Sequence, residues 1–166
     1  MIDTLTRWLA GVSPAATSSS LRQILYPLVD RYSTQPLSTA GLVISAGGAT
    51  TAKTGAAVFY ATVGGSLVKI AAATAMPALT GINISAANFN VVCFYIDGAS
   101  TVTALAGTQA TTLGGVVFPV PPLKKALVGF LIITYASTFT GGTTPLDTAT
   151  TVYISPLGPF DPSVLV

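Results

Sequence analysis

Between Ile70 and Leu123 the chain carries a single ionised side chain, Asp97, in 54 residues. A segment of that length cannot present an ordinary charged surface to water, so any fold must give it apolar surroundings. The remainder is nearly as bare. Lys and Arg total 7 and Asp and Glu total 5 in 166 residues, 7% charged, against about 25% in an ordinary domain.

Lipid, a domain core and another subunit are the available surroundings. A spanning helix needs about 18 to 20 consecutive apolar residues, whereas the longest run, Ala126–Ala136, has eleven and includes Gly129 and Thr134. A transmembrane barrel needs at least about eight segments that alternate an apolar and a polar face, and the runs here are apolar on both faces. No membrane partner is expected. A chain of 166 residues suffices for one domain that buries roughly 70% of its unfolded surface. The remaining hydrophobicity is assigned to subunit contacts, because obligate interfaces resemble a domain core cut in half.

The net charge of +2 is spread over Arg7, Arg22, Arg31, Lys53, Lys69, Lys124 and Lys125, with one adjacent pair. That is not the clustered footprint of a nucleic-acid binder, and no nucleic-acid partner is expected. Cys93 is the only cysteine, lies in an apolar run, and reads as a small buried hydrophobe. Met1 reads as the mature start, since Asp3 and Arg7 interrupt the region where a signal peptide has an apolar stretch of about 7 to 15 residues. The triplet Asn83-Ile84-Ser85 would matter as a glycosylation acceptor only in a secreted eukaryotic protein.

The chain divides into an N-terminal helical arm (residues 1–35), a β body (36–155) and an extended tail (156–166). In the arm, Asp3 can cap a first helix whose Leu5, Trp8, Leu9 and Val12 share one face. A second helix after Ser18–Ser20 places Leu21, Ile24, Leu25, Leu28 and Tyr32 on one stripe, opposite Arg22, Gln23 and Arg31. Pro27, with no N–H to donate, should kink or end this helix, which leaves two short pieces and one rod as equal alternatives. Such a stripe usually faces the helix's own core; the alternative is that it docks on a partner.

From Gly41 onward, short β-type runs alternate with Gly, Thr, Asn and Pro, which predicts an all-β sandwich, jelly-roll-like in architecture. Strands are expected at Gly41–Ser45, Ala56–Val63, Leu67–Ala72, Phe89–Ile96, Thr101–Ala106, Val116–Val120, Leu127–Tyr135 and Thr150–Ile154. Val63-Gly64-Gly65-Ser66 and Ile96-Asp97-Gly98-Ala99 each predict a tight hairpin turn with residues at positive φ. Phe89–Ile96 and Leu127–Tyr135 are apolar on both faces and belong at the centre of a sheet covered twice, by the second layer and by another subunit or element. Val92, Phe94, Ile96, Phe130 and Ile132 are therefore candidate core or subunit-interface residues. Pro119, Pro121 and Pro122 end one strand in an extended segment. The tail, Pro156–Pro162, has the same extended character and either lies on a neighbour or frays.

Chemistry has few candidates. There is no His and no Glu, which removes the usual general base and the common partners of a nucleophilic Ser or Cys. One Cys and five scattered Asp are too few for a zinc site. Gly47-Gly48-Ala49-Thr50-Thr51-Ala52-Lys53-Thr54 has the spacing of a phosphate loop, but Ala52 replaces the required glycine. It also runs into a strand, where such a loop must open a helix. Tyr60, Tyr95, Tyr135 and Tyr153 lie inside expected strands, where packing is the ordinary role of an aromatic residue. No catalytic residue, metal or cofactor is expected.

Three stretches carry a resemblance: Ala56–Lys69, Met76-Pro77-Ala78-Leu79 and Phe139–Asp147. Across residues 40–153 the sequence resembles small virion proteins of tailed phages, described as capsid cement, decoration or head-fibre proteins. The resemblance implies a β-sandwich or jelly-roll body, a homotrimer, and an extended arm that holds neighbouring capsomers on the virion surface. It implies the major capsid protein as partner and synthesis in the host cytoplasm. Read with the helical stripe, it makes Trp8, Leu21, Ile24, Leu25, Leu28 and Tyr32 the candidate capsid contact. The alternative within the same style is a head-fibre or tail-tip protein whose β domain binds a host receptor.

Overall fold

A computed structural model of the protein describes residues 18–158. One helix, α1 (Ser18–Ser33), precedes eleven strands among the described residues. These are β1 (Gln35–Pro36), β2 (Val43–Ile44), β3 (Ala52–Lys53), β4 (Phe59–Val63), β5 (Ser66–Ile70), β6 (Asn83–Ile84), β7 (Phe89–Asp97), β8 (Val102–Ala106), β9 (Lys125–Thr134), β10 (Phe139–Thr140) and β11 (Thr150–Ile154). All pairings between them are antiparallel. The main sheet has the order β11-β9-β7-β8, a second sheet has β1-β4-β5, and two-stranded ladders join β2 to β3 and β10 to β6. The fold is all-β, as the sequence predicts.

Alternation along the strands builds the layers. Val92, Phe94 and Ile96 of β7 and Ala126, Val128, Leu131 and Ile133 of β9 point one way. There they meet Phe59, Ala61 and Val63 of β4 and Val68 and Ile70 of β5 in one continuous core. The two larger sheets thus form a sandwich, while the jelly-roll connectivity expected from the sequence is not established by these pairings. Sequence reasoning also places β7 and β9 correctly at the centre of the main sheet.

The opposite face of the main sheet carries Val91, Cys93, Tyr95, Leu127 and Phe130, and its cover comes from the same chain. Residues 107–118 fold across it, with Val116 buried and Phe118 packed edge-on against Phe130, ring centroids 5.2 Å apart at 83°. Bridges Phe89↔Ala110 and Thr108↔Val117 fasten the segment. The second cover predicted for these strands is therefore an element of the chain itself.

A β-bulge between Phe94 and Tyr95 on β7 pairs Phe94 with Gly129 and Tyr95 with Leu127, leaving Val128 as the extra residue. The bulge shifts the phase of β9, which is why Val128 and Leu131 share a face although three positions apart. Gly129 fits because an added Cβ would lie 2.6 Å from both the Ile154 carbonyl and Leu42 Cδ1.

Several local expectations change. The Val63–Ser66 hairpin forms as predicted, with Gly64 and Gly65 at φ 57 and 81. The second hairpin is longer than predicted: Asp97 Oδ1 accepts the N–H groups of Ala99 and Thr101, both at 3.0 Å, and Ser100, not Gly98, takes the positive φ of 61. This is a three-residue loop closed by a left-handed residue. Val116–Val120 is not a strand; a 3₁₀ turn occupies Leu113–Gly115 and only Val117 makes a bridge. The prolines that follow have no N–H to continue a ladder.

Helix α1 runs unbroken through Pro27. Gln35, assigned from sequence to the arm, pairs with Thr62 and belongs to the body. The tail begins along the same sheet, where the Gly158 N–H donates to the Pro36 carbonyl at 3.1 Å. Trp8, the first predicted helix and tail residues 159–166 lie outside the described residues. Among those described, no helix is long and apolar enough to cross a membrane.

Candidate interaction surface on helix α1

The end of α1 is fixed to the body by polar contacts on the last turn. Asp30 Oδ2 accepts the backbone N–H of Lys124 at 2.9 Å, and its Oδ1 accepts the Thr34 hydroxyl at 3.4 Å. Thr34 Oγ1 in turn accepts the Gly64 N–H at 3.0 Å, and the Ser33 carbonyl accepts the Gly65 N–H at 3.0 Å. The Ser33 carbonyl, one of the helix's orphan acceptors, and Thr34 just beyond the helix are thus spent on the β4–β5 turn. The helix is held at its C-terminal end.

Its apolar stripe is not held. Leu25 is 51% exposed, Leu28 50%, Val29 61% and Tyr32 69%, and Tyr26 beside them is half exposed. A stripe facing its own core would be buried, so α1 turns these residues away from the body. Of the predicted arm residues, Leu25, Leu28 and Tyr32 share this open face, while the side chains of Leu21 and Ile24 lie outside the described set. Val29 and Tyr26 were missed by the sequence reading. The signal for Val29 was present, because it falls four residues after Leu25 and so on the same face.

The other predicted set belongs to the interior. Val92, Phe94 and Ile96 are fully buried between the two sheets, and Phe130 is buried on the opposite face. Ile132 is partly buried beside Phe130. These five are core residues of one subunit.

The acids of the described residues act as clamps on backbone. Besides Asp30 and Asp97, Asp147 Oδ2 accepts the Gly48 N–H at 2.7 Å. That contact also disposes of the phosphate-loop pattern: the loop before β3 offers an N–H to a carboxylate of its own chain, and Thr54 is buried with its hydroxyl on the Ala71 carbonyl at 3.0 Å. Among the described residues, no three of His, Cys, Asp and Glu gather where they could hold a metal.

Cys93 and Tyr95 lie under the 107–118 cover. Burial pushes the Cys93 thiol up to about 12, against a smaller lowering by its hydrogen bond with Tyr95. A thiol in that state is not a nucleophile near neutral pH. The four tyrosines of the predicted strands do not gather on one exposed face: Tyr95 is buried, Tyr135 and Tyr153 pack against the inter-sheet core, and Tyr60 is exposed on the outer face of β4.

No family model, curated protein or solved structure matches the chain.

Proposed function

We propose that the protein is a non-enzymatic structural subunit of a phage-like particle, a cement or decoration protein. It binds the outer capsid shell as a homotrimer, contacts the major capsid protein, and stabilises the shell by bridging capsid subunits. The observation that carries this reading is a contrast within one chain. The β body covers both faces of its main sheet with its own residues, whereas the tethered helix α1 leaves its apolar stripe half exposed. The body adds Leu67, Val117, Val120, Leu123 and Leu157, each more than half exposed, and with the bare helix these describe a subunit completed by protein contact.

The N-terminal arm, residues 1–34 once Gln35 is counted with the body, is the part that turns this body into a particle subunit. An amphipathic helix laid against a partner is a recurrent recognition mode read through anchors at i, i+3, i+4 and i+7. With so few charges in the chain, apolar burial at about 25 cal/mol per Å² dominates the contact, and each of many symmetric copies repeats it. Shell stabilisation then follows from linkage, since whatever binds only the assembled shell lowers its free energy relative to dissociated subunits.

The test is co-sedimentation of the full-length protein with capsids that lack it. Saturable pelleting with the shells supports the proposal. Protein that stays in the supernatant yet binds host cells or glycans overturns it in favour of the head-fibre or tail-tip alternative.

A further inference from the structure

We propose that the outer edge of β11 is a docking site for an extended strand of another protein, one with apolar residues at alternate positions, a basic residue at one end and no acid. The site lies apart from α1 and does not depend on what the helix binds.

A strand at the edge of a sheet leaves a row of backbone N–H and C=O groups unpaired, and native proteins blunt such edges with Lys, Pro, bulges, brevity or a covering segment. The other edges of this fold are blunted in those ways. β1 carries Pro36, whose carbonyl accepts the Gly158 N–H at 3.1 Å. β5 carries the exposed Lys69. Just past β8, Thr108 and Val117 exchange two backbone bonds, at 2.8 and 3.2 Å, and within β8 the Thr103 hydroxyl holds the Lys125 ammonium at 3.2 Å. The ladders β2–β3 and β6–β10 are two residues long.

β11, Thr150-Thr151-Val152-Tyr153-Ile154, has none of these guards. It holds no charge and no proline, and its five paired positions run without a bulge. Among the described residues its backbone bonds go to β9 alone. The Leu42 N–H bonds the Ser155 hydroxyl at 3.0 Å, one residue past the strand, and leaves the ladder positions open. In an antiparallel strand, alternate residues turn their N–H and C=O groups to opposite sides. Half of this backbone therefore faces outward with no strand to meet it, and an extended peptide is the partner that offers donors and acceptors at that spacing.

Side chains set the class of strand. Val152 is 49% exposed, although its cross-strand partner Ile132 is partly buried. An apolar residue placed opposite Val152 from outside would close its open side. Burial first, and the charge of Asp147 second, raise the pKa of the Tyr153 hydroxyl, which puts that carboxylate near the edge. Lys or Arg in the incoming strand is favoured there, and Asp or Glu is disfavoured. A second copy of β11 fits less well, because residues 148–158 contain neither Lys nor Arg.

The experiment is NMR on the isotope-labelled full-length protein, titrated with the synthetic peptide acetyl-Lys-Val-Thr-Val-Thr-Val-amide, its fully N-methylated copy, and a copy with Glu in place of Lys. In the free protein, one alternate set of amides in residues 150–154 is expected to exchange with solvent at least about tenfold faster than the set bonded to β9. The Lys peptide is expected to shift β11 saturably and to slow the outward set. The N-methylated copy, which has no donors, is expected to do neither, and the Glu copy to bind more weakly. Val152→Lys places a guard at an exposed position and is expected to abolish the shifts with the circular dichroism unchanged. A Lys peptide that leaves β11 unshifted, or an N-methylated copy that binds equally well, overturns the docking edge. A Glu copy that binds as well as the Lys peptide overturns the charge preference. Outward amides already protected in the free protein, with protection that falls on dilution, place a second copy on the edge and overturn the proposal.

Discussion

The Asp30 carboxylate on the last turn of α1 accepts the backbone N–H of Lys124 at 2.9 Å, across 94 residues of sequence. Lys124 sits there at φ 56, a left-handed conformation that costs a residue with a Cβ about 1–2 kcal/mol. The bond fixes both the helix and the entry into β9, the strand that begins at the next residue.

Asp30→Ala removes the acceptor and frees the helix end. The expected loss is about 1 kcal/mol, small because the contact is solvent-exposed, and urea unfolding reads it. Lys124→Gly should not lower stability, since glycine takes the same φ without the Cβ penalty. A Lys124→Gly variant clearly less stable than wild type contradicts the assigned strain.

Gly129 and Gly47 make a paired test of packing. At Gly129 a Cβ would press on the Ile154 carbonyl and Leu42 Cδ1, whereas at Gly47 it meets nothing within 4 Å. Gly129→Ala is expected to cost about 1–3 kcal/mol through displaced neighbours. Gly47→Ala should leave the thermal midpoint at or slightly above the wild-type value. Equal effects at the two positions contradict the close approach of β9 to β11.

Leu131, fully buried where β9 faces the second sheet, supports the sandwich core. Leu131→Ala should cost about 2–5 kcal/mol, and Leu131→Asp should abolish folding, because an unpaired charge there has no partner. A soluble, normally folded Asp variant would refute the central placement of β9.

Alkaline pH should unfold the protein through Cys93 and Tyr95. Burial raises both groups, so each stays neutral in the native state after it has ionised in the unfolded chain. For acids of this kind the stabilisation is complete below the unfolded value, 9.0 for the thiol, and is lost as pH rises towards the folded value of about 12. Stability should therefore fall by about 1.4 kcal/mol per pH unit for each group ionised only in the unfolded state. Cys93→Ala should flatten that decline in urea midpoints between pH 8 and 11. An unchanged slope contradicts the burial of the thiol.

How legible this fold was in the sequence depended on length and on locality. β7 and β9 were visible because nine and ten residues of apolar, β-branched chain admit no other reading, and the Gly64-Gly65 turn because it is a local demand on φ. The two-residue strands β1, β3, β6 and β10 were missed, since so short a ladder is set by its partner and leaves no period to detect. The 3₁₀ turn replaced a predicted strand because Val116, Val117 and Phe118 have β propensity, while the prolines after them forbid the pairing it needs. The stripe of α1 was readable as a pattern. Its exposure was not, because that depends on Asp30 finding Lys124, a contact no local rule contains. The same holds for the 107–118 cover: the sequence left open whether another subunit or an element of the chain lies over β7 and β9, and the contact that decides it is not local.

Calorimetry of capsids with and without the bound protein tests the central claim most directly. Cement that binds only the assembled shell must raise the shell's melting temperature, and the rise must increase with occupancy until the sites are full. Shells that bind the protein to saturation and melt at the unchanged temperature contradict a stabilising role.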